Sequence, residues 1–107
     1  MLVDVRTYRT RPGKLAPQID LYVKHGFGPQ TRHLGPPLAY LQSESGELNT
    51  LMHLWTFEDA ADRAKKRAVM MADPEWQNYL KVNAEAGYLV DQRNSLMVPT
   101  SFAPIKR

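Results

Sequence analysis

Two dipeptide-spaced pairs carry most of the chemistry this sequence offers: Arg6 with Tyr8, and His53 with Trp55. Each pair has the spacing that puts both side chains on one face of a strand. An imidazole titrates close to neutral pH, so His53 reads as a general base. A guanidinium on a covered face needs an anion, and three are available in principle: Asp4, a ligand carboxylate or a ligand phenolate. Arg6, Tyr8 and His53 are therefore the candidate catalytic residues. Trp55 and Tyr40 are candidate walls for a ligand, and His33, next to Leu34-Gly35, is a candidate at the pocket mouth. A purely structural reading stands beside this one: Arg6 pairs with an acid across an interface, and Trp55 and Tyr8 fill that interface.

The remaining motifs read as structure. His25 and His33 are separated by Gly26, Gly28 and Pro29, so no regular helix brings them together as metal ligands. No metal and no cofactor is expected; Gly-x-Gly-x-x-Gly, P-loop and Gly-x-Ser-x-Gly motifs are absent. Asp73-Pro74-Glu75-Trp76 is a helix start, with Asp as cap and Pro in the first position. Asp62-Arg63 reads as local ion pairing on a helix surface, and Lys65-Lys66-Arg67 as a solvated run that complements a helix dipole.

Composition narrows the classes. The chain has 107 residues, enough for one domain, read as residues 1–107. Its 14 Lys/Arg against 11 Asp/Glu argue against a dedicated nucleic-acid partner. No apolar run approaches the length of a membrane span, and MLVDVRTYR does not read as a secretory signal. Cysteine is absent, which removes thiol chemistry and fits a cytoplasmic setting.

The elements that position these residues follow from periodicity. Alternation predicts a strand over Leu2 to Arg9, and Arg11-Pro12-Gly13-Lys14 a turn. A helix follows, with Leu15, Ile19, Tyr22 and Val23 as its apolar stripe, and Pro29 restarts it as far as His33 and Leu34. Leu38 to Glu44 and Leu48 to Phe57 form a hairpin around Ser45-Gly46-Glu47. Thr56 or a neighbour caps the next helix, which runs to about Ala72. A second helix begins at Pro74, turns Trp76, Tyr79 and Leu80 inward, and ends at Gly87. Asp91 to Val98 is the last strand, and Phe102 and Ile105 are candidate anchors of the tail.

The order βαββαβ specifies an α+β, ferredoxin-like fold: a four-stranded antiparallel sheet with helices on one face. The opposite face is too apolar to face water, which predicts a homodimer packed sheet against sheet. Arg6, Tyr8, His53 and Trp55 are candidates for that sheet-to-sheet face.

Arg6-Thr7-Tyr8, Arg11-Pro12-Gly13-Lys14, Arg32-His33-Leu34-Gly35, His53-Leu54-Trp55, Asp62-Arg63, Asp73-Pro74-Glu75-Trp76 and Leu96-Met97-Val98-Pro99-Thr100 form an ordered set. In that order and at those spacings the chain resembles the NIPSNAP family over nearly its whole length. The resemblance implies a dimeric α+β barrel and leaves the reaction open. Two functions are in play. One is a pocket between sheet and helices for a small apolar or aromatic ligand, with cofactor-independent oxygenase or isomerase chemistry. The alternative is a non-enzymatic protein-interaction module with a solidly packed barrel.

Overall fold

A computed structural model describes residues 1–105. The element order is β1 (Leu2–Thr10), α1 (Leu15–His25), α2 (Phe27–Leu34), β2 (Ala39–Gln42), β3 (Thr50–Phe57), α3 (Ala60–Met71), α4 (Pro74–Ala86) and β4 (Leu89–Met97). The strands form one antiparallel sheet in the order β2-β3-β1-β4, the ferredoxin-like arrangement.

Local chemistry accounts for most boundaries. Gly13 takes φ +80°, and Lys14 N–H closes the turn on the Arg11 carbonyl at 3.0 Å. Asp73 accepts the Glu75 N–H at 2.8 Å and caps α4, with Pro74 in its first turn. Gly87 ends that helix in the left-handed region at φ 63°. The α3 cap is Asp59, which accepts from the Asp62 N–H, and not Thr56, which stays within β3. The hairpin strands are shorter than alternation predicts. Ser43 receives the Thr50 N–H on its hydroxyl, and Asn49 turns at φ 61°, so the connection consumes residues on both sides.

Register places the chemistry. Arg6 on β1 lies opposite His53 on β3 and Asn94 on β4, and His53 lies opposite Tyr40 on β2. Arg6, Tyr8, Tyr40 and His53 share one cleft with residues of α1, α2, α3 and α4. They therefore occupy the helix-covered face, and the expectation of a sheet-to-sheet location is overturned. Alternation gives the open face Val5 and Thr7 of β1, Met52 and Leu54 of β3, Leu41 of β2 and Met97 of β4.

The core is an aromatic cluster of Tyr22, Trp55, Phe57, Trp76 and Tyr79, completed by Leu34 and Met70. Two expectations about it change. Val23 is 61% exposed, because Gln18 takes the inward position beside Tyr22 and its amide bonds Tyr79 and Asn83. Phe102 is 86% exposed and anchors nothing.

Candidate functional site

The cleft between sheet and helices has a volume of about 190 Å³. Its floor is a stack of rings. Tyr8 and His53 lie 5.0 Å apart between centroids, His53 and Tyr40 4.5 Å, and Tyr40 and Tyr22 5.1 Å, all with planes within 25° of parallel. Strand alternation and antiparallel register bring three of these rings together, and α1 delivers the fourth. Tyr79 of α4 closes edge-on against Tyr22.

His53 is 5% exposed, and its protonation is set from beneath. Trp55, buried and two residues along, lies with Nε1 2.6 Å from His53 Nδ1. An indole nitrogen only donates, so Nδ1 must accept, and the ring proton sits on Nε2. Burial, assisted by the Arg6 charge, pushes the pKa of His53 down to about 3. The imidazole is thus neutral at physiological pH and offers a donor. This geometry favours a donor over a general base at His53, since Nδ1 accepts from Trp55 and Nε2 carries the ring hydrogen.

Arg6 is held by both neighbours on its face. Its Nε donates to the Tyr8 hydroxyl oxygen at 3.0 Å, and Nη1 to Asp4 Oδ2 at 3.2 Å. Asp4 is 1% exposed and also receives Arg63 Nη2 at 3.0 Å and Asn94 Nδ2 at 3.1 Å. Burial alone raises its carboxyl pKa. The Asn94 hydrogen bond and the two guanidiniums outweigh this and hold it below the ordinary carboxylate range. Asp4 is thus the anion Arg6 requires. Arg63, read as a surface partner of Asp62, reaches across to β1 instead, while Asp62 pairs with Lys66 at 3.2 Å.

The other candidates separate. Tyr40 lines the cleft. Trp55 lies under His53 and acts on the cleft through it. His33 is not among the lining residues; its Nε2 is 2.7 Å from Asp73 Oδ2, which also takes Arg32 Nη2 at 2.6 Å. Those bonds, Arg32 first, hold the Asp73 carboxyl well below its usual range and fasten α2 to the start of α4.

Sequence reading passes over several cleft residues, Arg67 and Gln18 among them. Arg67 was grouped with a solvated run, yet it lines the cleft one turn from Arg63 and one turn before the buried Met70. Gln18 shares the inner stripe with Tyr22. Helical spacing to an apolar neighbour was the available signal for both. No Asp, Glu or Lys is found among the described residues lining the cleft, and no three His, Asp or Glu side chains gather there to hold a metal ion. Among the described residues no helix is long and apolar enough to cross a membrane.

Comparison with known proteins follows the same outline. The NIPSNAP family model matches residues 3–104. The Protein NipSnap homolog of Dictyostelium discoideum is 34% identical over 73 residues, covering 68% of this chain and 32% of that protein. Human Protein NipSnap homolog 3A is 30% identical over 103 residues, covering 96% of this chain and 41% of its own length. The chain thus spans less than half the length of these curated relatives. A crystal structure of a NIPSNAP family protein of unknown function from Agrobacterium tumefaciens superposes with TM-score 0.91 at 33% identity, covering 99% and 94% of the two chains. A putative antibiotic biosynthesis monooxygenase from Nitrosomonas europaea superposes at 0.66 with 10% identity, covering 92% of this chain and 98% of its own, a likeness of fold alone.

Proposed function

The chain belongs to the NIPSNAP family, and from that footing we propose a homodimer in which each protomer holds a small aromatic molecule between sheet and helices. The observation that carries this is the cleft itself: a stack of rings on its floor, and beside it a His53 Nε2–H fixed by the bond from Trp55. Parallel rings 4.5 to 5.1 Å apart face one another and leave their edges to the cleft, against which a planar ring can pack edge to face. A barrel packed solid, as the interaction-module reading requires, is hard to reconcile with about 190 Å³ of open volume.

The lining sets the chemistry. With no carboxylate at its wall and a neutral His53, this cleft is unsuited to removing a proton from a ligand. Tyr22, Tyr40 and Tyr79 are pushed above the ordinary phenol range, by burial first, so none replaces it. What the residues can do is stabilise negative charge on a ligand oxygen: Nε2–H of His53 donates, and the guanidiniums supply positive potential. A ligand that arrives already ionised therefore suits this lining better than one that must lose a proton inside it.

The homodimer rests on the open sheet face. Leu41 and Met97 are more than half exposed there, beside Val5, Met52 and Leu54. A contiguous apolar face of this kind calls for a cover, and a second copy offers one of the same shape.

A ligand screen tests the site. Quinols and single-ring aromatics should quench the fluorescence of Trp55 or Trp76 saturably, since one supports His53 and the other lines the cleft. His53→Ala should weaken the best binder about tenfold, the worth of one buried hydrogen bond and its packing. Absence of binding across the screen, with the chain folded, would leave the interaction-module reading in its place.

A further inference from the structure

Four charges sit within one another's reach at the β1–α3 side of the cleft, and they do not balance. Arg6 and Arg63 both bond Asp4, which is one carboxylate for two guanidiniums. Arg67 lines the same cleft and makes no hydrogen bond or ion pair with any of the described residues. Three positive charges therefore face one negative charge, and His53 adds none. Burial, then repulsion from Arg6 and Arg63, pulls the Arg67 pKa down against the weaker attraction of Asp4, which is already bonded by the other two guanidiniums. A half-buried guanidinium in this position is stabilised by an anion that the described residues do not provide.

A second observation is independent of charge. Gln18 is 3% and Trp76 7% exposed, and both line the cleft. Gln18 Oε1 and Trp76 Nε1 are buried without a hydrogen-bond partner among the described residues. Turning the Gln18 amide over does not cure this, since one of its two polar atoms is left over either way. One orphan accepts and the other donates. Both atoms are closed off from the open cleft, so a polar group of an occupant reaches them only where the wall opens slightly.

We infer that the cleft takes a one-ring aromatic carboxylate, its ring against the edges of the tyrosine–histidine stack and its carboxylate on Arg67. The size agrees: an engineered apolar cavity of about 150 Å³ holds benzene, so about 190 Å³ suits one substituted ring. Guanidinium and carboxylate match as a two-pronged pair, and the low dielectric of the cleft strengthens that pair. The inference rests on the reading of the cleft as a ligand site and adds the charge of the ligand to it.

The test uses the full chain, benzoate, and its uncharged isostere benzamide, with binding followed by calorimetry and by ¹H–¹⁵N spectra. Benzoate should bind at least about tenfold more tightly than benzamide, the difference a charged hydrogen bond makes. Arg67→Met, which keeps the apolar stem, should bring benzoate down to the level of benzamide. Arg67→Lys should retain part of the preference. Equal binding of the two compounds, or a benzoate preference that survives Arg67→Met, overturns the charge inference and leaves the aromatic site standing. If neither compound binds a chain whose spectrum shows it folded, the aromatic site and the charge inference both fail.

Discussion

Trp55 Nε1 stands 2.6 Å from Nδ1 of His53, two residues away on the same face of β3. That one bond decides what the histidine can do. It fixes the tautomer, turns the remaining N–H outward from Trp55, and makes the imidazole a donor where sequence alone suggests a base. Neutral imidazoles that polarise an oxygen are an established catalytic device, and the lowered pKa here serves the same end.

The first consequence is a pH dependence of stability. His53 titrates at about 3 in the folded chain against 6.5 ordinarily. Between those values the unfolded chain binds a proton that the folded chain refuses. Stability from this residue is complete above about pH 6.5 and falls as the pH drops toward 3, by up to about 1.4 kcal/mol per unit. Asp4, held below its ordinary 3.8, adds a loss in the same direction once the pH falls below that value. Urea unfolding at a series of pH values should show the slope, and His53→Gln should flatten it. An equal slope in the variant would contradict the assignment.

Asp4→Asn removes the charge that two arginines share. Breaking a fully buried ion pair from one side costs about 3–5 kcal/mol, and with Arg6 and Arg63 about a fifth exposed the loss falls toward the lower end. A loss below about 1 kcal/mol in denaturant unfolding would show that Arg6 and Arg63 find water instead.

Gly26 lies between α1 and α2 where a side chain has no room. A Cβ there would stand 2.8 Å from Tyr22 Cδ1 and 3.0 Å from Tyr79 Cδ1, while φ −108° suits alanine well. Gly26→Ala should cost about 1–3 kcal/mol through the displaced rings. Gly28→Ala, with nothing within 4 Å of its Cβ, is the control and should be neutral or slightly stabilising. Thermal melts of the pair separate crowding from helix propensity.

The open sheet face yields a prediction about assembly. At micromolar concentration the chain should sediment as a dimer, and Leu41→Glu with Met52→Glu, side by side on that face, should give a folded monomer. A native chain that sediments as a monomer ends the dimer proposal without touching the cleft.

Much of this was legible in advance. Alternation in β1 and β3 paired Arg6 with Tyr8 and His53 with Trp55, and Asp73-Pro74 marked the α4 start. Which face of the sheet the pairs occupy was not legible, because β3 is apolar on both sides and periodicity cannot then choose. The face that packs on the helices buries Trp55 and Phe57 and lets Asp4 meet Arg63 across 59 residues of sequence. Arg67 and Gln18 were hidden for a related reason. Each is polar and sits on an inward helical stripe, where a hydrophobic pattern passes over it. Val23 is the converse, an apolar residue that the stripe leaves in water.

Nitrogen-15 spectra of the His53 side chain, recorded from pH 8 to pH 5, test the locked imidazole directly. A neutral ring with its proton on Nε2, an acceptor signal at Nδ1 and no titration across that range is the expected result. A ring that protonates with a midpoint near 6.5, or that carries its proton on Nδ1, would mean that Trp55 does not hold it and that the cleft offers a base after all.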